Sequence, residues 1–179
     1  MRLENVHPAA LPAEKLLRQC DVTRTRRQGP GGQHRNKVET AIVLVHRPTG
    51  VRSEANERRS QRENHRVALG RLRVNLALAV RGERASAGSS ENAPSTSPSQ
   101  RWRARLVGKR IVISPGHDDF PALLAETLDA IQEHQFDVAS TADDLAVSTS
   151  QLVKLLRVEP RALEQVNHHR AALGLKALR

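Results

Sequence analysis

Residues 29–33 read Gly-Pro-Gly-Gly-Gln and lie in a stretch dense in basic side chains. Glycine adopts backbone angles closed to other residues and lets the main chain approach a ligand closely. Gly31 and Gly32 can therefore aim main-chain N–H groups and the Gln33 side chain at one point. The basic residues repel one another unless a polyanion neutralises them, which favours contact with nucleic acid. They are Arg24, Arg26, Arg27, His34, Arg35 and Lys37.

Several other catalytic and ligand-binding patterns do not occur in the sequence. No Gly-Lys-Ser/Thr follows the glycines, and no G-x-G-x-x-G separates a strand from a helix, which argues against nucleotide-hydrolase and dinucleotide sites. The cysteine and histidine spacing fits no structural zinc site, and no Ser-His-Asp arrangement is evident. We therefore expect no metal and no cofactor, and we interpret the single cysteine, Cys20, as a small hydrophobic residue.

The net charge of +10 and the pI of about 11.2 also indicate an anionic partner. Residues 1–82 contain 17 lysines and arginines against 7 acidic residues, whereas residues 101–179 contain 11 against 10. No apolar run is long enough for a transmembrane helix or a secretory signal. We expect a cytoplasmic protein with no membrane partner.

The charge asymmetry and one low-complexity segment divide the chain into three parts. Residues 83–100 are rich in serine, proline, glycine and alanine and contain no large apolar residue, so we predict a flexible linker there. It separates an N-terminal domain, residues 1–82, from a C-terminal domain, residues 101–179.

The N-terminal domain shows both strand and helix periodicity. Its predicted elements are a short helix at 13–19, strands at 21–25, 40–47 and 51–54, and a long amphipathic helix at 56–81. The apolar positions assigned to the long helix are Val67, Leu72, Leu76 and Val80. The basic positions assigned to another face are Arg59, Arg62, Arg66 and Arg73.

The C-terminal domain is predicted to be mainly helical after an initial β segment, so the fold class is α+β. Its predicted elements are one or two strands at 101–113, a helix from Asp119 to about Phe136, short helices capped by Thr141 and by Ser148, and a last helix at 160–174. Two short helices joined across 146–148 are typical of a helix-turn-helix. We favour an ordinary helical bundle over DNA recognition, because residues 118–179 are net acidic.

From about Leu16 to Arg81 the sequence resembles the catalytic domain of the class-I peptide chain release factors. Three blocks occur in the family's order: GPGGQHRNK at 29–37, HRPTGV at 46–51 and ERRSQREN at 57–64. A lone Gly-Gly-Gln carries little weight, but three ordered blocks over this span are specific.

The resemblance implies that Gly31, Gly32 and Gln33 are the catalytic residues of a peptidyl-tRNA hydrolase. They would enter the peptidyl-transferase centre of the large ribosomal subunit, where water cleaves the ester of the P-site peptidyl-tRNA. The Gln33 side chain is neutral and a poor general base, so we assign it to shaping the pocket and admitting water over larger nucleophiles. Because the family's glutamine is often methylated on its side-chain nitrogen, the resemblance adds a glutamine methyltransferase as a partner.

The same resemblance implies contacts with ribosomal RNA around the glycines. The residues expected to make them are Arg24, Arg26, Arg27, Gly29, Pro30, His34, Arg35, Asn36, Lys37, Arg59 and Arg62. Arg27 and Gln28 stand where many family members have small residues, which would alter the loop contacts.

The sequence departs from full release factors in the features that read stop codons. Only about 20 residues precede the resemblance, and no Ser-Pro-Phe tripeptide occurs. We therefore expect codon-independent hydrolysis, similar to the ribosome-rescue members of the family. Those members typically end in a basic tail, whereas this chain is expected to fold again after its linker.

One alternative belongs to a different functional class. The protein would dock on ribosomal or other RNA without catalysis and recruit a partner through its C-terminal domain. A weaker alternative is transcriptional regulation through the helix-turn-helix-like segment. For the hydrolase and for both alternatives we expect a monomer.

Overall fold

The structure is a computed structural model that describes residues 6–25, 40–82 and 98–179. These residues form two compact units. The N-terminal unit takes in the described residues between Pro8 and Val80, and the C-terminal unit takes in Val6, His7, 81–82 and 98–179. Helices and small sheets are both present, which confirms the α+β class. Most of the segment predicted as a linker lies outside the described residues, and Gln100, at its end, begins a helix.

The N-terminal unit is a three-stranded antiparallel sheet, in the order β1-β2-β3, with one long helix packed on it. A 3-10 turn at Pro8–Ala10 precedes the elements α1 (Ala13–Arg18), β1 (Cys20–Thr25), β2 (Ala41–His46), β3 (Arg52–Ala55) and α2 (Gln61–Ala79). Each element predicted for this unit is present. Gly50 closes the β2–β3 hairpin at φ +70°, in the region that favours glycine.

Helix α2 begins later than predicted, at Gln61, because the Ser60 hydroxyl accepts the Glu63 N–H and caps the helix. Its buried side runs through Asn64, Ala68, Leu72 and Leu76, at the four-residue spacing of one helical face. The prediction was thus right for Leu72 and Leu76, whereas Val67 and Val80 are only partly buried.

The predicted basic face of α2 also needs correction. Arg59 precedes the helix and so belongs to no helical face. Arg62 and Arg66 are exposed, whereas Arg73 is partly buried and its guanidinium donates to the Leu11 carbonyl at 2.7 Å.

The C-terminal unit surrounds an aliphatic core with one aromatic anchor. Its elements are α3 (Gln100–Arg103), β4 (Leu106–Val107), β5 (Arg110–Ile111), α4 (Phe120–Glu133), α5 (Val138–Asp144), α6 (Thr149–Val158) and α7 (Pro160–Ala172). The fully buried Trp102 donates its indole N–H to the Leu145 carbonyl at 2.8 Å. Trp102 is therefore a core residue whose ring is not available at the surface.

The strands predicted at 101–113 are wrong for the first part of that segment. The Ser99 hydroxyl accepts the Trp102 N–H at 3.0 Å and starts the short helix α3, and Glu126 accepts both the N–H and the hydroxyl of Ser99. The alternation of basic and apolar residues there fitted a strand, but only Trp102 inserts into the core. The hairpin β4–β5 follows, with Gly108 at φ +59° in its turn.

The predicted cap at Thr141 is also wrong. Asp137 caps α5 by accepting the Ala139 N–H at 3.0 Å, and Thr141 lies inside the helix with its hydroxyl bonded to the Asp137 carbonyl. The preceding helix α4 ends at Glu133, because Gln135 and Phe136 take positive φ values and reverse the chain early. Asp137 is therefore the first side chain in a position to cap.

Helix α6 starts as predicted, with the Ser148 hydroxyl accepting the Gln151 N–H at 3.3 Å. The turn from α5 contains Ala146 at φ +55°. Helices α5 and α6 thus follow one another across a short turn, inside a unit whose core they help to form.

Replacing the α6 cap should weaken the C-terminal unit. We expect Ser148→Ala to lower the free energy of unfolding by about 1 kcal/mol, since one main-chain N–H of the first turn loses its acceptor. Denaturant unfolding followed by the fluorescence of Trp102, the one tryptophan, measures the change. Thr149→Ala, at an exposed neighbour, is the control, and equal losses in both variants would contradict the assignment.

Candidate functional site

The predicted catalytic loop joins two neighbouring strands. Thr25, the last residue of β1, pairs with Ala41, the first residue of β2, so residues 26–39 connect adjacent strand ends. The predicted residues that lie outside the described part of the chain are Arg26, Arg27, Gly29, Pro30, Gly31, Gly32, Gln33, His34, Arg35, Asn36 and Lys37. The described residues therefore define how both ends of the loop are held.

Three of the predicted RNA-binding residues are described, and all three are exposed. Arg24 lies on β1 next to the last described residue before the loop. Arg59 precedes the Ser60 cap of α2, and Arg62 lies in the first turn of that helix. Their exposure leaves them accessible to phosphate groups.

The side chain of Asn64 connects the loop, helix α2 and the segment before it. Its Nδ2 donates to the Thr40 carbonyl at 2.7 Å and to the Arg58 carbonyl at 3.0 Å. Its Oδ1 accepts the Arg58 N–H at 2.9 Å. Asn64 itself is fully buried, whereas its partners Thr40 and Arg58 lie nearer the surface.

The buried His46 holds the other end of β2. Its Nε2 lies 2.9 Å from the Gln19 amide oxygen, and its Nδ1 lies 2.8 Å from the Thr49 hydroxyl. Since an amide oxygen only accepts, Nε2 carries the proton and Nδ1 accepts from Thr49. Burial, together with the charge of Arg47, lowers the pKa of His46, which favours this neutral form. Both ring nitrogens are occupied, so His46 supports the hairpin and is unavailable as a general base.

Arg47 links the end of β2 to the start of β1. Its guanidinium donates to the Cys20 carbonyl and to an Asp21 carboxylate oxygen, each at 3.0 Å, and to the Arg18 carbonyl.

Burial raises the pKa of the Cys20 thiol, whose Sγ donates to the Leu16 carbonyl. Cys20 is therefore held as a thiol in the core, as expected of a small hydrophobic residue.

Two arginines near the start of the C-terminal unit share one carboxylate partner. Arg101 and Arg105 both pair with Asp119, at 3.1 and 2.8 Å. Burial raises the pKa of Asp119, but the Arg105 hydrogen bond and the two guanidinium charges outweigh it and hold that pKa below its usual value.

Lys109 and Arg110 are exposed at the turn of the β4–β5 hairpin, and the Lys109 carbonyl accepts the Ser148 N–H at the start of α6.

Sequence reasoning placed Asn64 in a family block but assigned it no role. The available signal was its spacing, because it lies four residues before Ala68 in a series that continues through Leu72 and Leu76. A polar residue in such a buried series needs internal hydrogen-bond partners. Its partner Thr40 is distant in sequence, and periodicity does not reveal it.

The described ranges contain neither a metal-binding cluster nor a membrane-spanning helix. Over 6–25, 40–82 and 98–179, no group of three or more histidine, cysteine, aspartate or glutamate side chains could hold a metal ion. Within the same ranges, no helix is long and apolar enough to cross a membrane.

Comparison with protein families assigns the chain to a class. The RF-1 domain model matches residues 16–111, which is more than half of the 179 residues. The chain therefore belongs to the RF-1 domain family, the family of the class-I peptide chain release factors. The match extends past Arg81, where the sequence resemblance ended, and takes in the β4–β5 hairpin.

Individual relatives are release factors and match over limited lengths. The chain is 43% identical over 76 residues to the chloroplastic peptide chain release factor PrfB1 of Arabidopsis thaliana, covering 42% of this chain and 16% of that protein. It is 45% identical over 62 residues to peptide chain release factor 1 of Xylella fastidiosa (strain 9a5c), covering 35% and 17%. It is 45% identical over 51 residues to the mitochondrial peptide chain release factor 1-like protein of Rattus norvegicus, covering 28% and 14%. The chain thus spans 14–17% of the length of these relatives, and no solved structure matches it.

Proposed function

We propose that this protein hydrolyses the ester of ribosome-bound peptidyl-tRNA and so releases the nascent peptide. One observation carries the proposal: an intact Gly31-Gly32-Gln33 lies within the RF-1 domain match, on a segment between two paired strands. The excess of basic residues in the same part of the chain supports ribosomal RNA as the partner.

The proposed chemistry needs a main-chain donor more than a side-chain base. Water attacks the ester carbonyl carbon, and the oxyanion that forms accepts a hydrogen bond from the main-chain N–H of Gln33. The bond to the tRNA 3′ oxygen then breaks, and that oxygen takes up a proton while the peptide leaves as a carboxylic acid. RNA groups supply the proton transfers, and Gly31 and Gly32 permit the backbone shape.

We propose further that release needs no stop codon, as in ribosome rescue. The proposal follows the sequence resemblance to the ribosome-rescue members of the family, and the RF-1 domain match is followed by helices that bury a core of their own. We also propose that a glutamine methyltransferase methylates the side-chain amide of Gln33. The protein itself is proposed to be monomeric and cytoplasmic.

A release assay tests both the proposed hydrolysis of peptidyl-tRNA and its proposed independence of a stop codon. Ribosomes carrying labelled peptidyl-tRNA in the P site are prepared with an empty A site, a sense codon or a stop codon there. We expect release from all three, at rates within about a factor of ten of one another. Release at the stop codon alone would overturn codon independence and leave hydrolysis standing. Ribosome binding without release from any of them would favour the non-catalytic RNA-binding alternative.

The exposed cations of the β4–β5 hairpin are proposed as a second RNA-binding surface. Lys109→Ala with Arg110→Ala should weaken ribosome binding and reduce the slope of log affinity against log salt by about 0.7–0.9 for each phosphate group that the variant no longer neutralises. Lys176→Ala with Arg179→Ala, which removes the same charge from exposed residues elsewhere in the unit, is the control. Equal changes for both pairs would show that net charge, and not the hairpin, sets the affinity.

A further inference from the structure

Asn64 is a fully buried polar residue whose side-chain amide uses both its nitrogen and its oxygen in hydrogen bonds. Two N–H donors and one carbonyl acceptor are used, on two backbone segments far apart in sequence. The partners admit only one orientation of the amide, because the oxygen must face the Arg58 N–H and the nitrogen must face two carbonyls. Such a network specifies one local geometry, and leaving any of its groups unpaired in the interior is costly.

One of these partners is the residue at which the predicted catalytic loop ends. Thr40 directly precedes β2, and β2 is the central strand of the sheet. The Thr40 carbonyl accepts from Asn64 at 2.7 Å, which ties the chain to α2 at the point where it enters the sheet. The remaining bonds hold Arg58, which lies between β3 and α2, against the same side chain.

We propose that Asn64 is a positioning residue for peptide release. By holding the Thr40 carbonyl against α2, it sets the direction from which the chain that carries Gly31-Gly32-Gln33 returns to the sheet. This inference rests on the proposed function, in which the loop must present Gly31-Gly32-Gln33 to a reacting ester. Errors of about 1 Å at a reacting centre cost on the order of 100-fold in rate, even when they arise far from the chemistry.

The test compares two asparagines of the same helix. In Asn64→Asp, one carboxylate oxygen still accepts the Arg58 N–H, but the donor facing the Thr40 and Arg58 carbonyls is replaced by an acceptor. Asn75→Asp is the matched control, since its Nδ2 donates to the Arg52 carbonyl at 2.8 Å and the charge change is identical. Single-turnover release is measured against protein concentration, which separates the maximal rate from the half-saturating concentration.

We expect the maximal release rate of Asn64→Asp to be about 10- to 100-fold below that of Asn75→Asp, with little change in the half-saturating concentration. A loss of stability alone gives the opposite pattern, because fewer folded molecules raise the half-saturating concentration and leave the maximal rate unchanged. Asn64→Ala, which introduces no charge, is measured beside it and should show the same fall in rate.

Three other outcomes would overturn the positioning role of Asn64 or the proposed function. Equal maximal rates for Asn64→Asp and Asn75→Asp overturn the positioning role alone. Failure of both Asn64 variants to fold, judged by circular dichroism, makes the residue structural and also overturns that role. Absence of release by the unaltered protein and by Asn75→Asp overturns the proposed function, and the positioning role with it.

Discussion

Gly32→Ala is expected to lower the peptide-release rate by at least about 100-fold while leaving ribosome affinity within about threefold. The added methyl group excludes backbone shapes that glycine allows, so in the proposed mechanism the Gln33 N–H would no longer point at the oxyanion. Loss of one such donor costs about 100- to 1,000-fold in rate. Single-turnover release at saturating protein measures the rate, and sedimentation with ribosomes measures the affinity.

Gly70→Ala provides the control for this glycine. Gly70 is an exposed interior residue of α2, and nothing lies within 4 Å of a Cβ added there. We expect unchanged release and a slightly more stable helix, because alanine has the higher helix propensity. If Gly70→Ala and Gly32→Ala reduced release equally, the loop assignment would be wrong.

The Gln33 side chain is proposed to have a role distinct from that of its main chain. Gln33→Ala should lower the release rate and also reduce the preference for water over a larger nucleophile such as a small alcohol, since the amide that shapes the pocket is lost. Product analysis with and without the alcohol separates these effects. Unchanged selectivity would contradict the role assigned to the side chain.

Trp102→Ala is expected to have the largest effect on stability, lowering the free energy of unfolding by about 3–5 kcal/mol. The substitution removes a fully buried ring and leaves the Leu145 carbonyl without its donor. Calorimetry or circular dichroism measures the loss. Trp102→Phe keeps an aromatic ring but removes the indole N–H and part of the ring volume, so we expect a smaller loss of about 1–3 kcal/mol.

Val107→Ala serves as the comparison for Trp102→Ala, because Val107 is 65% exposed on the hairpin and its truncation should change stability little. A Trp102→Ala loss no greater than that of Val107→Ala would show that the indole is not a core anchor.

The N-terminal unit could be predicted from sequence almost element by element. Its signals are local: β-branched runs for β2, a glycine turn at Gly50, and a helical period through Leu72 and Leu76. The C-terminal unit was less predictable because competing caps lie close together. Ser148 was identified correctly, whereas Asp137 and not Thr141 caps α5, since positive φ values at Gln135 and Phe136 end the preceding helix early.

For the candidate site, too, local motifs could be recognised in the sequence, whereas contacts between distant residues could not. Family resemblance predicted the glycines and Gln33 as the site, because they form one contiguous motif, and that assignment stays a prediction. The role of Asn64 depends on Thr40, to which it is joined only in the folded unit, so no local pattern predicts it. The burial of Trp102 likewise depends on a residue distant in sequence, Leu145, whose carbonyl accepts the indole N–H.

The most direct test of the central claim is a cryo-EM map of this protein on a ribosome that carries a non-hydrolysable peptidyl-tRNA analogue in its P site. We predict that residues 29–37 lie in the peptidyl-transferase centre, with the main-chain nitrogen of Gln33 about 2.7–3.1 Å from the position of the developing oxyanion. A bound protein whose residues 29–37 lie outside that centre would contradict the account.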